Sequence, residues 1–141
     1  MKIMIINGPN LNLLGIRDNN VYGDKSYDYI CDYIRSKFDD DFTFFQSNSE
    51  GEIIDCIHKS LFDKYDGVVI NAAGYSHTSV SIADAIECIS QYIPVIEVHI
   101  SNIYAREDFR NKSFISKFCK GVISGFGINS YLLAIHALKE N

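Results

Sequence analysis

Gly67-Val68-Val69-Ile70-Asn71-Ala72-Ala73-Gly74 is the stretch of sequence that decides the fold of this chain. Three consecutive β-branched residues end at a polar Asn71, and a loop of small residues follows. An unbroken apolar run of this kind is typical of a strand that is buried on both faces, as in parallel sheets covered by helices. A helix is predicted next, from about Ser79 to Gln91, because apolar residues recur there at spacings of three and four. The stretch therefore predicts one strand–loop–helix unit.

The same unit repeats along the rest of the chain. Ser26 and Ser49 each precede a segment with helical periodicity, as good N-caps do, and Ser49-Glu50-Gly51-Glu52 resembles a capping box. Asp39-Asp40-Asp41 is predicted to be a solvated turn, and residues 8–24, with four Asn and three Gly, a long loop. The alternation predicts an α/β fold, a three-layer α/β/α sandwich with a five-stranded parallel sheet of flavodoxin-like order, in one domain spanning residues 1–141. Its other strands are predicted at Lys2–Asn7, Phe42–Gln46, Pro94–Ile100 and Gly121–Ser124.

The composition narrows the class of protein. The 141 residues are 47% hydrophobic and carry a net charge of −5, with a pI of about 5.2. An acidic chain of this kind is not expected to bind nucleic acid or an acidic membrane surface. The four cysteines are far apart and form no CxxC pair, and neither a signal peptide nor a membrane-spanning run is visible, so we expect free thiols and a cytoplasmic protein.

Polar side chains are concentrated after three of the predicted strands. In parallel α/β sheets, ligands bind beyond the carboxyl ends of the strands. A phosphate loop fits poorly, because Asn7–Leu14 contains one Gly and no Ser or Thr. A phosphoacceptor site fits poorly too, because Asn10 and Asn71 stand where carboxylates would be needed, and no GxGxxG nucleotide motif is present. The residues that the three segments bring to one edge include Asn7, Asn10, Arg17, Tyr22, Asn71, His77, Glu97, His99, Arg106 and Arg110.

Five motifs, in order, resemble those of the type II 3-dehydroquinases. They are Asn7-Gly8-Pro9-Asn10-Leu11, Leu14-Gly15-Ile16-Arg17 with Tyr22-Gly23, Gln46 to Gly51, Tyr75-Ser76-His77-Thr78-Ser79, and Glu97 to Asn102 followed by Arg106-Glu107-Asp108-Phe109-Arg110. The resemblance implies a cofactor-free lyase of the shikimate pathway and of aromatic amino acid biosynthesis, which dehydrates 3-dehydroquinate to 3-dehydroshikimate through an enolate. It also implies a lid loop at about 8–24 and a homo-oligomer, a dodecamer built from trimers.

The chain departs from the family's usual pattern in three places. Ala72-Ala73 stands where Pro-Gly is usual, Asp18-Asn19 follows Arg17 where Glu-Pro is usual, and Ser49 stands where His is common. None of these changes removes a reacting group.

The resemblance also implies roles for individual residues. Tyr22 is the expected base and Arg17 its activating cation, since a phenol has a reference pKa near 10 and a neighbouring cation favours the phenolate. His99 is the expected acid, oriented by Glu97 two residues earlier on the same strand face, and Asn10 helps to stabilise the enolate. The expected substrate-binding residues are Asn71, His77, Asp84, Ile100, Ser101, Arg106 and Arg110.

Other chemistries are less well supported by the residues. No Lys ends a strand in these motifs, which disfavours an imine mechanism, and no HxxxH or CxxC spacing favours a metal site, so we expect neither cofactor nor metal. A flavodoxin-like module that binds a small ligand without turnover remains the alternative. Retention of both Tyr22 and His99 argues against it.

Overall fold

Five parallel strands form the centre of the molecule. The computed structural model describes residues 1–140, and its single sheet has the order β2-β1-β3-β4-β5. All four strand pairings are parallel, which confirms the predicted flavodoxin-like sheet. Two strands differ slightly from their predicted ranges. The second begins one residue earlier than predicted, and the fourth is one residue shorter at each end. The strands are β1 (Lys2–Asn7), β2 (Asp41–Gln46), β3 (Gly67–Asn71), β4 (Val95–His99) and β5 (Gly121–Ser124).

Helices cover both faces of the sheet. Alternate strand residues point to opposite sides, so Ile3 and Ile5 pack in one core and Met4 and Ile6 in the other. The first core includes α2 (Tyr27–Lys37) and α5 (Asn129–Lys139); the second includes α3 (Glu50–Phe62) and α4 (Val80–Ser90). The two cores confirm the three-layer sandwich. None of the helices in residues 1–140 is long and apolar enough to cross a membrane.

Serine N-caps begin three of these helices. The side chains of Ser26, Ser49 and Ser79 accept hydrogen bonds from the third backbone N–H of α2, α3 and α4, at 3.1, 3.3 and 3.0 Å. Each such cap is worth about 1 kcal/mol. The predicted capping box at Ser49 is only half formed, because the Glu52 carboxylate accepts from the Ser47 hydroxyl instead of the Ser49 backbone.

The Asp39–Asp41 run is not a solvated turn. Strand β2 already begins at Asp41, and Asp40 accepts hydrogen bonds from Lys139 Nζ at 2.5 Å and from the N-terminal ammonium at 2.9 Å. These two cations hold the pKa of Asp40 below its ordinary value. The prediction was wrong because both partners come from the chain ends, which the fold brings together.

The predicted loop at 8–24 contains two short helical segments. One is a 3-10 turn at Leu11–Leu13, and the other is α1 (Asn19–Tyr22). The Asp18 side chain caps α1 by accepting from the Asn20 N–H at 3.2 Å. Asp18 thus orders the start of this short helix, and Tyr22 lies at its end.

The loop after β3 packs tightly against the loop after β1. A Cβ at Gly8 would lie 2.5 Å from the Ala72 carbonyl oxygen, so only glycine fits there. Ala73 adopts φ 51°, in the left-handed region. A side chain in that region costs roughly 1–2 kcal/mol, so Ala73 carries backbone strain that a glycine would not.

Candidate active site

Parallel register brings the ends of three strands to one cavity. Asn7 of β1 lies opposite Asn71 of β3, and Ile70 of β3 lies opposite Glu97 of β4. The segments that follow β1, β3 and β4 therefore leave the sheet at the same edge. The cavity between them is lined by Pro9, Asn10, Leu11, Arg17, Tyr22, Asn71, Ala73, Gly74, His77, His99, Ile100, Ser101, Ile103, Arg106 and Arg110.

Two guanidinium groups hold the hydroxyl of Tyr22. Arg17 Nη2 donates to Tyr22 Oη at 3.1 Å, and Arg106 Nη1 donates to the same oxygen at 2.8 Å. The Arg17 Cζ also lies 4.0 Å from the centre of the Tyr22 ring. The structure therefore brings Arg106, 84 residues away in sequence, to the phenol as closely as Arg17, which the sequence alone did not indicate.

This arrangement places two positive charges at the Tyr22 oxygen. Arginine has no acceptor and keeps its proton in proteins, so Tyr22 Oη must accept both hydrogen bonds. One unit charge at about 4 Å stabilises an opposite charge by ~4 kcal/mol at an effective dielectric near 20. Arg17 forms no salt bridge within residues 1–140, whereas Glu107 lies 4.0 Å from Arg106 Nε and offsets part of its charge. Arg17 is thus the less compensated of the two cations.

A buried ion pair lies across the same cavity. His99 Nε2 and Glu97 Oε1 are 2.6 Å apart, and the two side chains are 5% and 0% exposed. The predicted orientation of His99 by Glu97 is thus geometrically satisfied, with Glu97 behind the imidazole and outside the cavity lining. Because Nε2 is engaged by Glu97, Nδ1 is the nitrogen that is left for a ligand.

The Glu97 carboxylate is held by further donors. Burial by itself raises the pKa of Glu97, but hydrogen bonds from His99, Ser116 and Ser113 bring it below its ordinary value. Ser113 Oγ donates to Oε1 at 2.8 Å, and Ser116 Oγ donates to Oε2. Sequence reasoning missed both serines, since neither lies in a strand-end segment or in a periodic pattern.

His77 presents one nitrogen to the cavity. Its Nδ1 lies 2.8 Å from the Lys112 carbonyl oxygen and so carries the proton, which leaves Nε2 as an acceptor. Burial lowers the pKa of His77, and the charges of His99 and Arg110 act in the same direction. The ring stacks on His99, with 6.1 Å between centroids. His77 is therefore a neutral acceptor for a hydroxyl group near neutral pH.

The other predicted residues differ in how free they are to bind a ligand. Asn71 is buried and already donates to Tyr131 Oη at 3.0 Å and accepts from the Ala73 N–H at 3.2 Å. Arg110 pairs with Glu107 at 2.5 Å. Ser101 Oγ accepts from Arg106 at 3.3 Å. Asn10 has φ 67°, its backbone N–H donates to Asn48 Oδ1 at 2.9 Å, and the residue lines the cavity.

Asp84 is the one predicted binding residue on a different face. It is exposed on α4 and lines a separate surface pocket with Lys112, Ser113, Phe114 and Lys117. Within one chain it does not reach the cavity of Tyr22 and His99.

Two further features bear on cofactor chemistry. No lysine lines the cavity. Among residues 1–140, no group of three or more His, Cys, Asp or Glu side chains is arranged to hold a metal ion.

Comparisons with known proteins agree over nearly the full chain. A family model described as dehydroquinase class II matches residues 1–139. The chain is 55% identical to a 3-dehydroquinate dehydratase of Caldicellulosiruptor bescii, covering 99% of this chain and 97% of the relative. It is 50% identical to that of Clostridium perfringens, covering 100% and 97%. The crystal structure of a type II dehydroquinase from Butyrivibrio crossotus superposes with a TM-score of 0.93 at 45% identity, covering 99% and 97%. The chain therefore belongs to the class II dehydroquinase family.

Proposed function

We propose that the chain dehydrates 3-dehydroquinate to 3-dehydroshikimate, with Tyr22 as base and His99 as acid. The observation that carries this assignment of roles is the Tyr22 oxygen, which accepts from two guanidinium groups in the cavity that His99 also lines. The substrate is a cyclic β-hydroxyketone that carries a carboxylate. Its dehydration requires a base beside the ketone, stabilisation of an enolate, and an acid at the departing hydroxyl.

Tyr22 acts as the general base that abstracts the proton. Its oxygen, held as phenolate by Arg17 and Arg106, takes the proton next to the ketone. Negative charge then moves to the ketone oxygen as the enolate forms. Arg17 and the Asn10 amide stabilise that charge, because donors that are fixed in place before the reaction need no reorganisation as charge develops.

His99 acts as the general acid for loss of the hydroxyl group. The imidazolium, paired with Glu97 at 2.6 Å, gives its proton to the leaving oxygen through Nδ1. The enolate collapses to the conjugated enone as the carbon–oxygen bond breaks. The acid and the base are separate groups, so each can be held in the protonation state that its step requires.

The other residues that line the cavity bind the substrate. Ile100 and Ser101 offer backbone amides and a hydroxyl to the substrate carboxylate, with Arg106 and Arg110 supplying positive charge. The neutral His77 accepts from a ring hydroxyl, and Asn71 contributes its remaining amide hydrogen. Arg106 thus has two roles, at the phenol and at the anion.

The test of this function is the appearance of conjugated enone absorbance when purified protein is mixed with 3-dehydroquinate. We expect turnover to survive borohydride treatment in the presence of substrate, because no lysine lines the cavity. We also expect it to survive exhaustive chelation, because residues 1–140 hold no group of three or more His, Cys, Asp or Glu side chains arranged for a metal ion. Binding of 3-dehydroquinate without enone formation would instead identify a binding module. A stable lysine adduct, or activity lost on chelation and restored by one metal, would contradict the cofactor-free mechanism.

We further propose that residues 1–141 form one catalytic domain with its lid at about 8–24, and that it acts in the cytoplasm as a dodecamer built from trimers. The substrate-binding role that the family resemblance implies for Asp84 requires assembly, because Asp84 is exposed on a different face of its own chain and could serve only the cavity of a neighbouring subunit. Light scattering should give a mass twelve times that of the chain. Asp84→Asn should impair turnover, whereas Asp55→Asn, an exposed carboxylate on α3, should not. A fully active monomer would contradict the assembly.

A further inference from the structure

The segment that follows Arg110 contacts His77 directly and reaches His99 only through Glu97. The Lys112 carbonyl oxygen lies 2.8 Å from His77 Nδ1, and the Phe114 N–H donates to the Ser76 carbonyl at 2.8 Å. Ser113 and Ser116 belong to the same segment, and their hydroxyl groups donate hydrogen bonds to the Glu97 carboxylate. Neither serine lines the cavity, so neither can touch a ligand there directly.

Within residues 1–140, three side chains donate hydrogen bonds to the Glu97 carboxylate. Oε1 receives His99 and Ser113, and Oε2 receives Ser116. Cys119 also lies close to Glu97, and burial raises the pKa of its thiol, so it adds no charge. Glu97 is 0% exposed, so its carboxylate depends on these protein donors and not on solvent. An ionised carboxylate that is buried without enough donors takes up a proton instead.

The charge on the imidazole depends on which side of the 2.6 Å contact between Glu97 Oε1 and His99 Nε2 the proton resides, and the two serines bear on its position. With the proton on His99 the pair is carboxylate and imidazolium. With the proton on Glu97 it is carboxylic acid and neutral imidazole. Hydroxyl groups that donate to both carboxylate oxygens stabilise the first state and not the second. Both states carry a proton on Nδ1 at the cavity side, but only the imidazolium of the first state is acidic enough to give that proton up.

We propose that Ser113 and Ser116 are positioning residues for the dehydration: their hydroxyls keep Glu97 ionised, so that the proton between the two side chains stays on His99 Nε2 and the imidazolium can give its Nδ1 proton to the leaving oxygen. This inference rests on the proposed role of His99 as acid. It assigns to two serines, 16 and 19 residues beyond Glu97, a function that acts through the acid and not on the substrate.

The experiment combines kinetics with infrared spectroscopy of the full-length protein. Ser116→Ala should lower kcat roughly tenfold, since a hydrogen bond to a charged group is worth that much or more, with KM changed less than about twofold. Ser113→Ala/Ser116→Ala should lower kcat further. Ser116→Thr, which keeps the hydroxyl, should restore most of the activity. Ser36→Ala, which removes an exposed hydroxyl bonded only to the Tyr33 carbonyl, is the matched control and should behave as wild type.

The infrared measurement reports the proton directly and does not depend on turnover. At neutral pH the double variant should show the C=O stretch of a buried carboxylic acid that wild type lacks, and adding Glu97→Gln should abolish it. Failure of wild type to turn over would count against the proposed function while this band still tests the serines. The proposal is overturned if the band is absent in the double variant, or if kcat is unchanged in it.

Discussion

Tyr22→Phe should lower kcat by about 10³-fold, since positioned general bases contribute 10²–10⁴-fold and no other acceptor replaces the oxygen. The substitution deletes one atom. The ring that packs under the Arg17 guanidinium at 4.0 Å remains, so the lid and the fold should persist. Steady-state kinetics by enone absorbance, together with thermal unfolding, measures both effects.

Tyr29→Phe is the matched control for the loss of a phenolic oxygen. Tyr29 is exposed on α2 and stacks on Tyr33, away from the cavity, so its variant should keep wild-type kcat. Turnover near the wild-type value in purified Tyr22→Phe, with Tyr29→Phe also active, would remove Tyr22 from the mechanism.

Arg17→Ala should lower kcat by about 10²-fold with a smaller change in KM. The reason is that Arg17 stabilises the phenolate and the developing enolate, and interactions that strengthen in the transition state act on kcat. Loss of the cation disfavours the phenolate, so a higher pH is needed to form it. The rise of kcat with pH should therefore move to higher pH. A kcat–pH profile of wild type and variant measures this shift.

Two companion variants separate charge from geometry. Arg17→Lys keeps the charge but loses the planar fork, and should recover little of the activity. Arg106→Ala should lower kcat less than Arg17→Ala and raise KM more, because Glu107 offsets its charge and Ser101 is its second partner. A raised KM with unchanged kcat and an unmoved pH profile in Arg17→Ala would make Arg17 a binding residue, and Tyr22 would need another source of activation.

Local patterns predicted most of the fold. The run Val68–Ile70 predicted a buried parallel strand, and Ser26, Ser49 and Ser79 marked the starts of three helices that begin at the next residue. These features depend on side chains within a few residues of one another, so they are readable without the fold. The role of Asp40 was not predictable in this way, because its partners, Met1 and Lys139, lie far from it in sequence.

The candidate site divides in the same way. The sequence by itself determined which residue types stand at the strand ends, the pairing of Glu97 with His99 on one strand face, and the closeness of Arg17 to Tyr22 in one loop. Only the tertiary structure decided that Arg106 reaches the Tyr22 oxygen, that His77 stacks on His99, and that Ser113 and Ser116 surround Glu97. The physical reason is that these contacts join segments far apart in sequence. They exist only once the register of β1, β3 and β4 has aligned the strand ends, and no local periodicity encodes that alignment.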